Sequence, residues 1–470
     1  WLTSMCSFPG RRWLSWALLL PLAMPAYIIA YTYTGLLDFA GPIQTWIRDL
    51  TGLGYGDYWF FEIRSLGGAI VMMSLVLYPY VYLMARAAFL EQSVSSIEVG
   101  CSLGYSRWRA MWSLALPMAR PAIIAGLSLA LMETLADYGT VQYFGVSTFT
   151  TGIFRTFYGY GDTAAAAQLA ASLLAFVMLL ILLERYSRRR ARYHSAAESK
   201  ARADLIPLIG RNAVIAVAVC LAPLMFGFII PATQLLFWAV FEAEPLGWEF
   251  VSLAWNSFSL AFLAAIVAVT LAIILSYAKR TRPIKPVRTV IAMAGFGYAL
   301  PGTIVAIGVL IPLAWLDHSL IALFERLGWH SPGLILSGSL VALLFAYTVR
   351  FLAVALGSVQ SGLEKIKPSL DHAGRSMGHS PWAIISKIHV PLMRSSILTA
   401  VLIVFVDVLK ELPATLILRP FNFNTMAVRA YELASDERLV DAAPASIMIV
   451  LVGLVPVLML HGSIARRRPK

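Results

Sequence analysis

The sequence predicts an all-α membrane protein of about ten spans, arranged as two parallel, pseudo-symmetric helical bundles. Three observations lead to this fold class. The 470 residues are 59% hydrophobic and only 13% charged, whereas a soluble chain normally carries about 25% charged residues. The mean hydropathy is +0.75, and long stretches contain no charged residue. A polar segment also occurs twice at a fixed offset. These observations exclude a soluble multidomain enzyme and a disordered chain.

The uncharged stretches give the spans. A transmembrane helix needs roughly 20 apolar residues, and eight stretches of at least this length lack Asp, Glu, Lys and Arg. Two further stretches are apolar but contain acids, and they complete the ten predicted spans. In chain order the spans are 13–37, 65–85, 118–138, 163–183, 212–241, 250–278, 289–316, 327–349, 395–415 and 442–465.

The basic residues indicate which loops are cytoplasmic. The net charge is +12. If residues 1–12 lie inside and the spans alternate, the inside segments hold 26 Lys and Arg and the outside segments hold seven. The positive-inside rule then places the linker 185–211 and the C-terminus in the cytoplasm. Because topology explains the basic excess, the expected partner is the lipid bilayer and not nucleic acid.

A repeat organises the chain, and its two copies match at one constant offset. Each copy has a glycine, Gly104 or Gly378, that would allow a tight bend, and a proline that can open the next helix at its first turn. Because both copies are cytoplasmic, we expect two parallel halves related by a pseudo-two-fold axis along the membrane normal. The matching pairs are Gly100 and Gly374, Ser102 and Ser376, Gly104 and Gly378, Ser106 and Ser380, Trp108 and Trp382, and Pro117 and Pro391.

The repeat predicts a first half at 1–184, a basic cytoplasmic linker at 185–211 and a second half at 212–470. The second half has two spans before the segment that aligns with residue 1, and residue 1 is not Met. We therefore expect about two spans to precede residue 1, and about twelve spans in the full protein.

The repeated loops, residues 91–117 and 358–394, carry a family resemblance. Glu-Ala-Ala, three residues, Gly, and Pro thirteen residues later is the signature loop of permease subunits in binding-protein-dependent ABC importers. The first copy has Val99-Gly100 in place of Ala-Ala, and the second has Asp371-His372 at the acidic position. By this resemblance the residues that couple to the ATPase are Glu98, Gly100, Gly104, Pro117, Asp371, His372, Ala373, Gly374, Gly378 and Pro391.

The resemblance implies a type I ABC importer permease in a bacterial inner membrane. Two copies of an ABC ATPase subunit would dock on the two loops and bind ATP and Mg, and a periplasmic binding protein would deliver the substrate. The chain itself has no Walker A motif, so we expect no cofactor in this chain and no enzymatic activity of its own. The G-x-S-x-G around Ser102 and Ser376 lacks the strand–turn–helix context of a hydrolase nucleophile.

Acids inside two predicted spans form the second candidate site. Glu133 and Asp137 are four residues apart, as are Asp407 and Glu411, so each pair should share a helical face. An ionised acid at a helix centre costs roughly 2.5–3.5 kcal/mol, which favours a position on a substrate pathway. A structural alternative stays open, because Asp407 could pair with Lys410.

The residues around these acids resemble fused ferric-iron transport permeases, at Leu135-Ala-Asp-Tyr-Gly-Thr and Lys410-Glu-Leu-Pro-Ala-Thr. The resemblance implies ferric iron as cargo, with Tyr138 beside the acids on the pathway. Transient iron contacts are then expected at Glu133, Asp137, Asp407 and Glu411, without a firm metal site. The charges alone would equally suit thiamine or a polyamine.

Two other functions remain as alternatives. A proton-driven secondary transporter would use the four acids as a relay, but it leaves the duplicated loop unexplained. A membrane-embedded enzyme would need a nucleophile–base or metal constellation, and the sequence shows none. The seven histidines have no metal-ligand spacing, and we expect them at the surface.

Overall fold

The computed structural model describes residues 1–54, 56–91, 100–190, 205–331 and 333–466. Within these residues nine helices are long and apolar enough to cross a membrane, or ten spans if one bent pair is counted. The predicted all-α polytopic fold is confirmed. The nine are Leu66–Leu90, Trp108–Ala136, Thr163–Glu184, Arg211–Glu242, Trp248–Thr281, Gly302–Arg326, Leu340–Leu363, Pro381–Leu409 and Leu439–Met459, and the bent pair is Arg11–Ala23 with Ala26–Thr51.

Among the described residues, one compact unit comprises those within 1–146, 175–241 and 457–466. The strand Cys6–Ser7 pairs in parallel with Ile206–Pro207, which fixes the end of the linker to the N-terminal segment. The α-helices of this unit are Leu2–Met5, Arg11–Ala17, Ala26–Leu37, Pro42–Thr51, Leu66–Glu91, Arg107–Ala110, Leu116–Ala136, Gly139–Tyr143, Arg211–Leu224 and Ile230–Phe237. It also has a 3₁₀-helix, Leu20–Ala23, and π-helices at Met111–Ala115 and Met225–Ile229.

The other compact unit comprises residues 147–174 and 242–456. Its α-helices are Phe149–Phe154, Trp248–Thr281, Lys285–Ala294, Gly302–Arg326, Leu340–Leu363, Pro368–Ser376, Pro381–Ile384, Val390–Leu409, Pro413–Leu418 and Met426–Ser435. It includes the π-helices Arg155–Gly159 and Ile385–His389 and the 3₁₀-helix Gly297–Ala299. The helices Thr163–Arg190, Trp238–Glu242 and Leu439–Arg466 have residues in both units.

The first predicted span, 13–37, is not one straight helix. The segments Arg11–Ala23 and Ala26–Thr51 meet at an angle of 92°. Met24 between them has an extended backbone, with ψ of 110°, and it precedes Pro25. A proline disfavours helical geometry in the residue before it, so the apolar run continues through a break in the helix.

The predicted spans 289–316 and 327–349 are also corrected. The first is divided into Lys285–Ala294 and Gly302–Arg326, and the second is replaced by Leu340–Leu363. The predicted spans ended at the nearest charged residue, and these helices do not end there. Asp317, which is fully buried, accepts hydrogen bonds from the backbone N–H groups of residues 335–337 at 2.7–3.2 Å. These bonds hold the segment before Leu340 outside the helix.

Candidate functional site

The second repeated loop is a helical turn closed by a left-handed glycine. The helix Pro368–Ser376 is followed by Gly378 with φ of +76°, a conformation that favours glycine. The N–H of Gly378 donates to the carbonyl of Arg375 at 3.0 Å. Ser380 then caps the next helix by accepting from the N–H of Ala383 at 3.2 Å. The motif therefore builds the bend that its glycine predicts.

The first repeated loop has the same local geometry wherever it is described. Gly104 has φ of +85°, and its N–H donates to the carbonyl of Cys101 at 3.0 Å. Ser106 accepts from the N–H of Arg109 at 3.2 Å. Each bond is the counterpart, at the offset of the repeat, of one in the second loop. Glu98, the predicted acidic contact, lies outside the described residues.

The other glycine of each motif is required for close packing. A Cβ atom on Gly100 would lie 2.7 Å from Cδ1 of Leu114. A Cβ atom on Gly374 would lie 3.2 Å from both Ile384 and Ile388. These glycines let the loop helix pack against the start of the following membrane helix. Gly100 and Gly374 thus have a structural role beside the predicted docking role.

The two prolines lie in the first turn of the α-helices Leu116–Ala136 and Val390–Leu409, as predicted, but each of these helices continues a helix that is already under way. Pro117 and Pro391 lie inside the continuous spans Trp108–Ala136 and Pro381–Leu409. A π-turn precedes each proline, with the N–H of Leu116 bonded to Met111 and that of Val390 bonded to Ile385. Because proline lacks an N–H group and its ring clashes with the preceding turn, the local π-turn allows the helix to continue.

Asp371 is buried inside the protein, with an exposed fraction of only 4%. Its carboxylate accepts from Nε of Arg280 at 2.6 Å and is paired with Nε2 of His389. Burial alone would raise the pKa of Asp371, but the hydrogen bonds and charges of Arg280 and His389 hold that pKa below its usual value. Asp371 therefore joins parts of the protein together and does not present a free carboxylate at the surface.

Arg280 extends this cluster to a third element. Its Nη1 and Nη2 donate to the carbonyls of Leu363 and Ile366 at 2.7 and 2.8 Å. The expectation that all histidines lie at the surface is wrong for His389, which is 1% exposed and has the ring of Tyr277 against its edge. The sequence signal for this cluster was Arg280 at the end of one span and His389 near the start of another, and sequence reasoning missed it.

Apolar side chains in the same loops are exposed at matching positions. Leu103 and Trp108 are 71% and 63% exposed, and Met377 and Trp382, their counterparts, are 66% and 65% exposed. His372 and Ala373 are also exposed. Large exposed apolar side chains in matching positions are typical of interaction surfaces.

The expectation that each pair of acids shares a helical face is wrong. The helix Leu116–Ala136 ends before Asp137, which has an extended backbone with ψ of 137°. The helix Val390–Leu409 likewise ends before Glu411. The prediction from helical periodicity required both helices to continue as far as Asp137 and Glu411. Instead, a short helix begins after each one, Gly139–Tyr143 and Pro413–Leu418.

Asp137 caps the first of these short helices. Its Oδ2 accepts from the N–H groups of Thr140 and Val141 at 3.1 and 3.2 Å, and its Oδ1 accepts from the Thr140 hydroxyl at 2.9 Å. A carboxylate at a helix N-terminus satisfies N–H groups that lack partners in the helix. Tyr138 is buried beside it.

Glu411 caps the second short helix in the same way. It accepts from the N–H groups of Ala414 and Thr415 at 2.9 and 3.0 Å and from the Thr415 hydroxyl at 2.7 Å. Nη1 of Arg350 adds an ion pair at 2.8 Å. Sequence reasoning missed Arg350 because it ended the predicted span at residue 349. Four protein donors thus surround this carboxylate.

Glu133 and Asp407 differ from the two capping acids. Both are half-buried, and Asp407 pairs with Nζ of Lys410 at 2.8 Å, which was the structural alternative. Across the described part of the chain, the side chain of Glu133 forms no hydrogen bond or ion pair. Nor does that part contain a group of three or more His, Cys, Asp or Glu side chains arranged to hold a metal ion.

The sequence resembles known transport proteins along nearly its whole length. Residues 3–193 match the family model described as "Binding-protein-dependent transport system inner membrane component". The Fe(3+)-transport system permease protein FbpB 2 of Haemophilus influenzae is 25% identical over 467 residues, covering 96% of this chain and 83% of the relative. The ferric transport system permease protein FbpB of Actinobacillus pleuropneumoniae is 21% identical, covering 92% and 63%.

A shorter relative matches part of the chain. The molybdenum transport system permease protein ModB of Escherichia coli K12 is 27% identical over 201 residues, covering 41% of this chain and 85% of the relative.

Proposed function

Because the chain belongs to the family of inner-membrane components of binding-protein-dependent transport systems, the permease subunits of ABC importers, we propose that its cargo is ferric iron. The observation that supports this cargo is the similarity along nearly the whole chain to permeases named for ferric transport. The acids at 133 and 407 suit a cation, and carboxylate oxygens are hard ligands that accept Fe(III).

The repeated loops would dock on two copies of an ABC ATPase subunit in the cytoplasm. The exposed side chains of Leu103, Trp108, Met377 and Trp382 would enter that interface, together with Glu98, His372 and Ala373. When ATP and Mg close the two ATPase subunits, each loop would move with the helix that follows it. The path would then change from inward-open to outward-open as rigid bodies rotate.

The four acids would have two different roles. Glu133 and Asp407 would face the cargo, because Glu133 has no partner among the described residues and Asp407 has one cation beside it. Asp137 and Glu411 would shape the path by capping the short helices after the spans, with Tyr138 beside the first cap. A conduit must release its cargo, which fits two weak contacts better than a closed metal site.

Radiolabelled Fe(III) uptake tests the proposal in iron-starved cells that lack this permease. The wild-type chain should restore uptake. Glu133→Gln with Asp407→Asn should lower uptake without loss of the complex, measured by co-purification of the ATPase subunit. Asp137→Asn with Glu411→Gln serves as the matched pair and should lower the amount of assembled complex as well.

Two results would count against iron. No uptake from an assembled wild-type complex would exclude this cargo, and uptake of thiamine by the same cells would be measured next. Unchanged iron uptake in the Glu133 and Asp407 double variant would remove these acids from the route. Neither result would alter the membership of the permease family.

A further inference from the structure

The helix Lys285–Ala294, which we name the linking helix, lies between two membrane spans. Three residues separate it from the end of the span Trp248–Thr281, and seven residues separate it from the start of the span Gly302–Arg326. A helix of ten residues is about 15 Å long, half the thickness of the hydrocarbon core. It is too short to cross the bilayer, and its neighbours keep it at the membrane surface.

The linking helix has two exposed faces of different chemistry. Pro286, Val290 and Met293 follow the i, i+4, i+7 spacing of one helical face, and Val290 and Met293 are 53% and 66% exposed. Arg288 lies on the opposite side and Lys285 lies between the two faces, and both are exposed as well. Of its ten residues only Ile291 is buried.

The sequence around the linking helix carries only positive charge. Between Glu249 and Asp317 the chain has no acidic residue. Five basic residues fall within 279–288, and one of them, Arg280, is used by Asp371. Lys279 donates to Oε1 of Gln360 at 3.1 Å, and Arg282, Lys285 and Arg288 remain around the exposed apolar residues.

We propose that the linking helix lies in the cytoplasmic leaflet, with Val290 and Met293 among the acyl chains and Lys285 and Arg288 on anionic phospholipid head groups. A basic amphipathic helix binds such a surface through buried apolar area and electrostatic attraction together. The occupant is lipid and not the ATPase because the exposed apolar residues flank two membrane spans, and both neighbours in the chain are already in the bilayer. This inference is independent of the cargo.

Spin labels measure the depth of each face. Cys6, Cys101 and Cys220 are replaced by Ala, and single labels are placed at Val290→Cys, Met293→Cys and Ala292→Cys, the last an exposed position between Lys285 and Arg288 on the helix surface. The purified chain is reconstituted in vesicles of phosphatidylethanolamine mixed with phosphatidylglycerol, with and without the ATPase subunit. Labels at 290 and 293 should be accessible to oxygen and protected from a water-soluble nickel chelate. The label at 292, on the polar side of the helix, should show the reverse.

Local lipid composition is tested with a fluorophore at Val290→Cys and brominated lipids as quenchers. Brominated phosphatidylglycerol should quench it more than brominated phosphatidylethanolamine does. Lys285→Gln with Arg288→Gln should reduce that preference by roughly 25-fold, since each basic residue near the surface contributes about a factor of five. The control is Arg326→Gln, at the other end of the span Gly302–Arg326, which should leave the preference unchanged.

Three results would overturn the proposal. Nickel access at all three labels would place the linking helix in water. Protection at 290 and 293 only when the ATPase subunit is present would make this face a protein interface. An equal preference for the two brominated lipids in the wild-type chain would exclude selective binding of anionic lipid.

Discussion

In the second repeated loop a buried carboxylate joins three membrane helices, whereas the corresponding part of the first half is held by apolar packing. Asp371 contacts Arg280 and His389. At the matching positions of the first half, Arg280 is replaced by Cys6 and His389 by Ala115. Ala115 is buried with Met5, Phe89 and Ala119.

The two loops nevertheless keep the same backbone turn, with left-handed glycines, serine caps and π-turns at matching positions. The comparison shows that the motif residues determine the turn. The contacts that attach each loop to the membrane helices differ between the two halves. The ends of the spans show the same contrast, since both Asp137 and Glu411 cap a short helix but Glu411 also binds Arg350.

The largest effect is expected for Gly302→Ala. A Cβ atom there would lie 2.5 Å from both Nη1 of Arg350 and Oε1 of Glu411, so both side chains must shift and we expect their ion pair to break. Breaking a buried ion pair costs about 3–5 kcal/mol. Thermal unfolding of the purified complex in detergent measures the loss. Gly308→Ala in the same helix has no atom within 4 Å and should be neutral or slightly stabilising. Equal melting temperatures for the two variants would contradict the role of this pair.

Asp371→Asn should loosen the second loop by about 3 kcal/mol, because Arg280 and His389 would remain buried without their carboxylate. Trypsin cleavage at Arg375 should accelerate, while cleavage at Arg109 in the first loop should not change. The exposed neighbour provides the control, since His372→Gln should alter neither rate. If cleavage at both sites rose together, the two loops would share one attachment and the comparison would fail.

Removal of a single hydroxyl distinguishes the two helix caps. Thr415 donates to Glu411 and is bonded to the hydroxyl of Tyr347 at 2.6 Å, so Thr415→Val should cost about 1–3 kcal/mol. Thr140→Val loses one bond to Asp137 and should cost about 1 kcal/mol. Parallel thermal unfolding of the two variants tests the order, and an equal or reversed cost would show that the caps contribute alike.

The sharpest effect on coupling is expected for Gly104→Val with Gly378→Val. No atom lies within 4 Å of a Cβ at either site, so the strain is in the backbone alone, about 1–2 kcal/mol for each residue. The ratio of ATP hydrolysed to substrate transported in vesicles should rise. Asn tolerates the left-handed conformation, so Gly104→Asn with Gly378→Asn should keep the wild-type ratio. An unchanged ratio in the Val variant would count heavily against movement of these loops as the coupling step.

The sequence by itself determined the all-α membrane fold and the bends at Gly104 and Gly378. These features depend on apolar length and on local backbone preference, which a few neighbouring residues decide. For the same reason the internal repeat predicted matching turns before any contact was known.

Only the tertiary structure decided where the spans break and what the acids do. Asp137 caps N–H groups that lie only three and four residues after it. The sequence did not reveal this cap, because the apolar helical pattern continues past the residue at which the helix ends. Arg350 and Glu411 are 61 residues apart, and Arg280 and Asp371 are 91 residues apart. A buried charge is stable only when it is paired, and here the partner comes from a distant part of the chain. The spacing of residues along the sequence does not show which distant residues the fold brings together.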